Sequence, residues 1–257
     1  MTALFLGTGT SVGVPMIGCD CPVCRSDDPR DHRLRSGFLV REAGFHLLVD
    51  TSPDLREQVL RHRIDHVDAV LLTHAHVDHL FGLDDLRRFN VVQKAPIPIY
   101  ATPETLQDVH RIFAYLFTPS LPGAFLPDLD FRPVEAGTAF DVGPFRVTPF
   151  DVPHGLSRTV GYRIEANGRS IGYASDCKTF PEEAFHAVEG VDAMVLDALR
   201  VAPHPSHLSL GESTAVLARI GAPQSFFTHL SHDFFQDELA ARYAPVRPAY
   251  DGLEIEV

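Results

Sequence analysis

Four segments of this chain are apolar almost throughout and then stop at a polar or histidine residue. They read Phe45-His46-Leu47-Leu48-Val49-Asp50, Ala69-Val70-Leu71-Leu72-Thr73-His74, Ala193-Met194-Val195-Leu196-Asp197 and Ser225-Phe226-Phe227-Thr228-His229. A strand with no polar face must be covered on both sides. Helical patterns fill the intervals at 53–61, 84–90, 104–115, 181–188 and 213–220. Ser52-Pro53-Asp54 and Gly211-Glu212-Ser213 carry helix-start residues. Residues 145–150 and 160–173 alternate more, and Asn167-Gly168 marks a hairpin turn in the second. These elements predict an α/β fold in four layers, an αββα sandwich. No linker or fixed-period repeat interrupts it, so residues 1–257 are expected to form a single domain. The Pro- and Phe-rich stretch 119–133 reads as a surface loop or lid.

Composition removes several classes of function. Hydrophobic residues make up 45% of the 257 and charged residues 22%, enough for a buried core. The formal charge of -12 argues against a nucleic-acid or anionic-membrane surface, which needs clustered cations. An anionic substrate stays compatible, because bound divalent metals add local positive charge. The longest apolar runs, such as 67–73, are too short to cross a bilayer. Met1-Thr2-Ala3-Leu4-Phe5-Leu6 reads as a strand and lacks a basic signal-peptide start, so a cytoplasmic location is expected.

The densest chemistry is Thr73-His74-Ala75-His76-Val77-Asp78-His79, at the end of an apolar strand where α/β proteins place ligands. Three imidazoles and a carboxylate so close together are costly as core groups. They suit Zn, Mn or Fe. Residues 74 and 76 point one way while 78 and 79 turn toward a second position, so one run can serve two metals. His154, Asp176 and His229 follow other strands. Alone, each reads as an ordinary hydrogen-bonded residue; together they repeat one pattern of strand, then His or Asp.

A second cluster, Gly18-Cys19-Asp20-Cys21-Pro22-Val23-Cys24, has zinc-knuckle spacing and lacks a fourth donor, for which His232 is the best candidate. The loop 18–25 is therefore expected to bind one structural Zn, with a redox pair as the alternative. Cys177 reads as a small packed residue. The loop Gly7-x-Gly9-x-x-x-Gly13 departs from the dinucleotide fingerprint and reads as a tight turn under the site.

The ordered set His74-x-His76-x-Asp78-His79, His154, Asp176, His229 resembles the metallo-β-lactamase superfamily over nearly the whole chain. Adding Gly7-Thr8-Gly9-Thr10-Ser11, Pro15, the Cys cluster and His229-x-x-His232, it resembles the PhnP-type phosphoribosyl 1,2-cyclic phosphate phosphodiesterases. That resemblance implies the αββα fold and two divalent metals, Zn or Mn. One would be held by His74, His76 and His154, the other by Asp78, His79 and His229, with Asp176 between them. It implies a metal-dependent hydrolase of small cyclic phosphodiesters, phosphoribosyl 1,2-cyclic phosphate or 2′,3′-cyclic nucleotides, in which hydroxide bridging the metals attacks phosphorus. His207, in His207-Leu208-Ser209, matches the family's assisting histidine and is expected to protonate the leaving oxygen; Asp78 is the other catalytic residue expected. A homodimer is compatible with the resemblance. A ribonuclease Z-like RNA 3′-processing endonuclease is the alternative, opposed by the acidic chain and the lack of a basic, Gly-rich arm.

Overall fold

In the computed structural model, which describes residues 1–118 and 125–257, the doubly apolar segments lie inside two seven-stranded sheets. The first sheet opens with an antiparallel meander, β1 (Thr2–Gly7), β2 (Gly37–Glu42) and β3 (Phe45–Val49), and continues in parallel through β4 (Ala69–Leu71), β5 (Ile97–Ala101) and β6 (Leu129–Pro133). The second repeats the plan. Antiparallel β7 (Phe140–Val142), β8 (Phe145–His154), β9 (Ser157–Ala166) and β10 (Arg169–Ala174) lead into parallel β11 (Ala193–Asp197), β12 (Gln224–Thr228) and β13 (Arg247–Pro248). The last strand, β14 (Glu254–Glu256), returns to the first sheet beside β1.

Strand periodicity divides the side chains between cores. In β1 to β4, Ala3, Phe5, Phe38, Val40, Leu47, Val49, Ala69 and Leu71 face the space between the sheets. Their neighbours Leu4, Leu6, Leu39, Leu48 and Val70 face the other way. There they meet Leu55 of α1 (Leu55–His62), Leu80 of the single turn α2 (Val77–Leu80), Phe89 of α3 (Arg87–Gln93) and Leu106 of α4 (Pro103–Ile112). The second sheet does the same. Val195 and Phe226 join the inter-sheet core, while Met194, Leu196 and Phe227 pack under α5 (Glu182–Ala187), α6 (Leu210–Ile220) and α7 (Gln236–Arg242). The result is the four-layer αββα sandwich. Among the described residues no helix is long and apolar enough to cross a membrane.

Several boundaries differ from the sequence reading, each for a physical reason. The strand expected at 145–150 runs on to His154 despite Pro149 and Pro153. Beyond Val147 it pairs only with β9, and an edge strand tolerates proline. Of the stretch 119–133, residues 119–124 lie outside the described residues, and Leu129–Pro133 is not loop but the edge strand β6. The helix expected from 84 is a 3-10 turn, Leu83–Leu86, followed by α3. α6 starts before Gly211, at Leu210, because Ser209 caps it and Glu212 closes a capping box.

A buried polar hub fixes the loop after β1. The Arg33 guanidinium donates to Thr8 Oγ1 (2.9 Å), the Ala249 carbonyl (2.6 Å) and Gln236 Oε1 (2.6 Å). Burial lowers its pKa to about 10. Asp251 accepts from the Thr8 and Leu34 N–H groups at 2.9 and 2.7 Å. Backbones approach so closely here that a Cβ on Gly9 would lie 2.8 Å from the Arg33 carbonyl oxygen.

Phe38 bridges the sheets, stacked on Tyr173 with ring centroids 4.8 Å apart and edge-on to Phe5 at 5.0 Å. Phe38→Ala should therefore cost about 3–5 kcal/mol in urea unfolding. Leu60→Ala, at a side chain 60% exposed, should cost less than about 0.5 kcal/mol.

Candidate active site

The two sheets bring their strand ends to one edge, and the polar residues that stop the apolar strands meet there. His74 and His76 leave β4, Asp78 and His79 ride on α2, His154 ends β8, and Asp176 and His229 follow β10 and β12. Donor atoms of His74, His76 and His154 lie within 4.8 Å of one another, as do those of Asp78, His79, Asp176 and His229. Asp176 stands between the sets. Its Oδ1 is 3.0 Å from His79 Nε2 and 3.6 Å from His229 Nδ1, while Oδ2 is 3.8 Å from His154 Nε2.

Four of the five imidazoles have one nitrogen held from behind. His79 Nδ1 donates to Asp50 Oδ2 at 2.7 Å, and His154 Nδ1 to the Ser206 carbonyl at 2.7 Å. Thr73 Oγ1 donates to Asp50 Oδ2 (2.8 Å) and lies 3.0 Å from His74 Nδ1. Ser36 Oγ is 3.0 Å from His229 Nδ1. Asp50, in the left-handed region with φ 63°, thus organises both His74 and His79. Such carboxylate and carbonyl partners fix ring orientation and leave the other nitrogen free.

In this cluster His74 Nε2, Asp78 Oδ2, His79 Nε2, Asp176 Oδ1 and His229 Nε2 are buried and complete no well-formed hydrogen bond among the described residues. Buried polar groups are ordinarily satisfied, and a divalent cation would satisfy this imidazole and carboxylate set at once. The carboxylates give the cluster an anionic field that favours a cation. Burial opposes ionisation of Asp176, yet His229 and His79 hold its carboxyl well below the usual range. Burial opposes charge on His79 as well, and Asp176, Asp78 and Asp50 overcome it and hold the imidazole well above the usual range. His154, where burial outweighs Asp176, falls to about 4. The donors therefore fit the divalent metals that the fold implies.

His207 lies beside both sets, its ring 4.5 Å from that of His154 and stacked at 4.9 Å on His229. Its Nδ1 meets Asp197 Oδ2 at 2.8 Å, which leaves Nε2 as the atom that can take and pass on a proton. Burial disfavours charge on both partners, raising the Asp197 carboxyl and lowering the His207 imidazole. The sequence reading missed Asp50 and Asp197 as site residues. Their signal was already present, since each is the polar stop of an apolar strand.

The second cluster also assembles. Cys19, Cys21 and Cys24 place Sγ 3.4, 3.4 and 3.2 Å from His232 Nδ1. The N–H groups of Met16 and Cys24 point at Cys24 Sγ and Cys21 Sγ, both at 3.4 Å. The Cys24 N–H helps bring the Cys21 thiol down to about 7, whereas burial raises Cys24 to about 11. Three thiols and one imidazole are a tetrahedral zinc set. Cys177 is fully buried and stands apart in the core under the second sheet.

Comparison with known proteins places this arrangement. The model of a β-lactamase superfamily domain matches residues 46–230. A protein of Porphyromonas gingivalis named octanoyltransferase is 36% identical over 99% of this chain and 51% of its own length, so the chain spans about half of that relative. A crystal structure described as a new diphosphatase from the PhnP family superposes with TM-score 0.91 and 37% identity over 100% of this chain and 96% of that one. Zn(2+)-bound PqqB from Methylobacterium extorquens superposes with TM-score 0.85 and 25% identity over 100% of both. The chain belongs to the β-lactamase superfamily.

Proposed function

We propose that the chain, acting as one domain over residues 1–257, is a metal-dependent hydrolase of small cyclic phosphodiesters of the phosphoribosyl 1,2-cyclic phosphate type. The observation that carries this reading is His207 with Asp197 behind it at 2.8 Å, set beside a carboxylate that stands between two sets of imidazoles. His74, His76 and His154 would hold one metal, Asp78, His79 and His229 the other, and Asp176 would reach both. Divalent metals there supply positive charge for phosphoryl oxygens and make bound water acidic near neutral pH.

The chain's own groups do the rest. Asp50 keeps His79 turned by its Nδ1 contact, and the Ser206 carbonyl does the same for His154. Asp197 keeps the His207 proton at Nδ1, so the free Nε2 would take a proton from the attacking water and pass it to the departing oxygen. Asp78, 6% exposed, is drawn to an anionic form by His79 against burial and serves as a donor at the same edge. The similarity to a diphosphatase supports a second reading, hydrolysis of a diphosphate by the same groups. A large RNA fits less well with a formal charge of -12.

The deciding test is a hydrolysis panel on metal-reconstituted protein: ribose 1,2-cyclic phosphate, nucleoside 2′,3′-cyclic phosphates, an aryl phosphodiester, a diphosphate and a precursor transfer RNA. Turnover of the cyclic phosphates with intact RNA supports the proposal. Cleavage of the diphosphate alone moves it to the second reading, and trimming of the RNA 3′ trailer overturns both. His207→Ala should lower kcat by about 10²–10⁴-fold while metal content stays at the wild-type level. Unchanged turnover, or lost metal, would give His207 another role. At the second cluster, Cys24→Ser should remove one zinc per chain in elemental analysis and lower Tm.

A further inference from the structure

One more group of metal-ligating side chains lies away from the active-site edge, at the opposite ends of β3 and β4. A donor atom from each of His46, Asp65 and His66 lies within 4.8 Å of the others. His46 is the second residue of β3, and Asp65 and His66 belong to the loop that joins α1 to β4. Asp50, which follows β3 at the active-site edge, is four residues on, so roughly 13 Å of strand separates the two places. The loop is built as a fixed frame. Ile64 and Val67 are buried in the core between the first sheet and its helices. The Gln93 amide accepts from the Val67 N–H and donates to the Val67 carbonyl, both at 3.0 Å. The Asp68 N–H donates to the His46 carbonyl at 3.0 Å, and Asp68 Oδ2 accepts from the His46 N–H at 2.7 Å, which locks the loop to β3.

On that frame each imidazole commits one nitrogen to a carbonyl. His46 Nδ1 donates to the His66 carbonyl at 2.9 Å, and His66 Nε2 to the Gly44 carbonyl at 3.1 Å. The nitrogens left over, His46 Nε2 and His66 Nδ1, carry the lone pair of the neutral ring. His66 Nδ1 lies 2.6 Å from Asp65 Oδ1. Two acceptors at that distance need a positive charge between them, a proton or a metal ion. A carbonyl behind the ring and a carboxylate in front repeat what His154 shows with the Ser206 carbonyl and Asp176.

We infer that His46, Asp65 and His66 form a further metal site, for one divalent transition ion of the zinc or nickel class. Two imidazoles and a carboxylate suit such ions, and three protein ligands leave room for water. Asp65, with a side chain 83% exposed, can swing to the ion at little cost, while both imidazoles are half-buried and held. The ion would tie the loop before β4 to β3 from outside. That structural role is independent of the reaction at the active site.

Zinc is the probe, on the full chain with its other sites already filled with zinc. In equilibrium dialysis against buffered free zinc, wild-type protein should hold one ion per chain more than His66→Ala protein. Its Tm should rise as that last ion binds, while the Tm of His66→Ala protein stays level over the same zinc range. Asp65→Asn, at an exposed side chain, should weaken the last ion by about tenfold or more. Anomalous diffraction at the zinc edge should place the ion between His46 and His66. Equal zinc content in wild-type, His66→Ala and Asp65→Asn protein at every free-zinc concentration overturns the site and leaves a proton between His66 and Asp65. An extra ion that diffraction places elsewhere on the surface overturns it too.

Discussion

Asp176 is 1% exposed and sits among imidazoles that are themselves buried, so the molecule has taken a cluster of polar groups out of water at one place. Desolvation of that kind is tolerated only where each group is oriented and the charges compensate. Orientation comes from behind, through Asp50, Thr73, Ser36 and the Ser206 carbonyl. Asp50 and Thr73 are held in turn by the apolar strands they follow, β3 and β4. Leu47, Val49, Ala69 and Leu71 are each fully buried between the sheets, and a shift of one residue in their register would turn the histidines away from the edge. The apolar layers therefore act on the chemistry by fixing where the strands stop.

The two sheets are built on one plan, an antiparallel meander followed by parallel strands, and each gives its polar residues from corresponding strand ends. Asp50 follows β3 and Asp176 follows β10, the last meander strand in each half. His74 follows β4, and Asp197 closes β11, the strands that come next. Face-to-face packing of the halves, through contacts such as Phe38 on Tyr173, brings the donors from both into one edge. Neither half holds a complete set alone, since His76 needs His154 and His79 needs Asp176.

Much of this was legible in the sequence because both fold and site write themselves as local patterns. Runs such as Ala193-Met194-Val195-Leu196 have no polar face, and that alone calls for two cores. His74-x-His76-x-Asp78-His79 is dense enough to stand out unaided. The parts that escaped depend on distant partners. Asp50 and Asp197 look like ordinary strand ends until the fold sets them against His79 and His207. The matching plan of the two sheets left no fixed spacing, because loops and helices of unequal length separate equivalent strands. β6 and the end of β8 were hidden by prolines, which edge pairing accommodates.

The cysteine cluster belongs to the same design rather than to a separate module. His229 lies in the left-handed region at φ 58°, so the chain turns sharply just as it leaves β12. Leu230 then pairs with the loop after β1, through its N–H to the Thr8 carbonyl (2.8 Å) and its carbonyl to the Thr10 N–H (3.1 Å). Two residues later His232 meets three cysteines from more than 200 positions away in sequence. A staple at that point fixes both ends of the segment 229–232, one in the donor cluster and one in the knuckle. Loosening the knuckle would free the backbone that carries His229, so a cluster outside the reaction still governs the shape of the site.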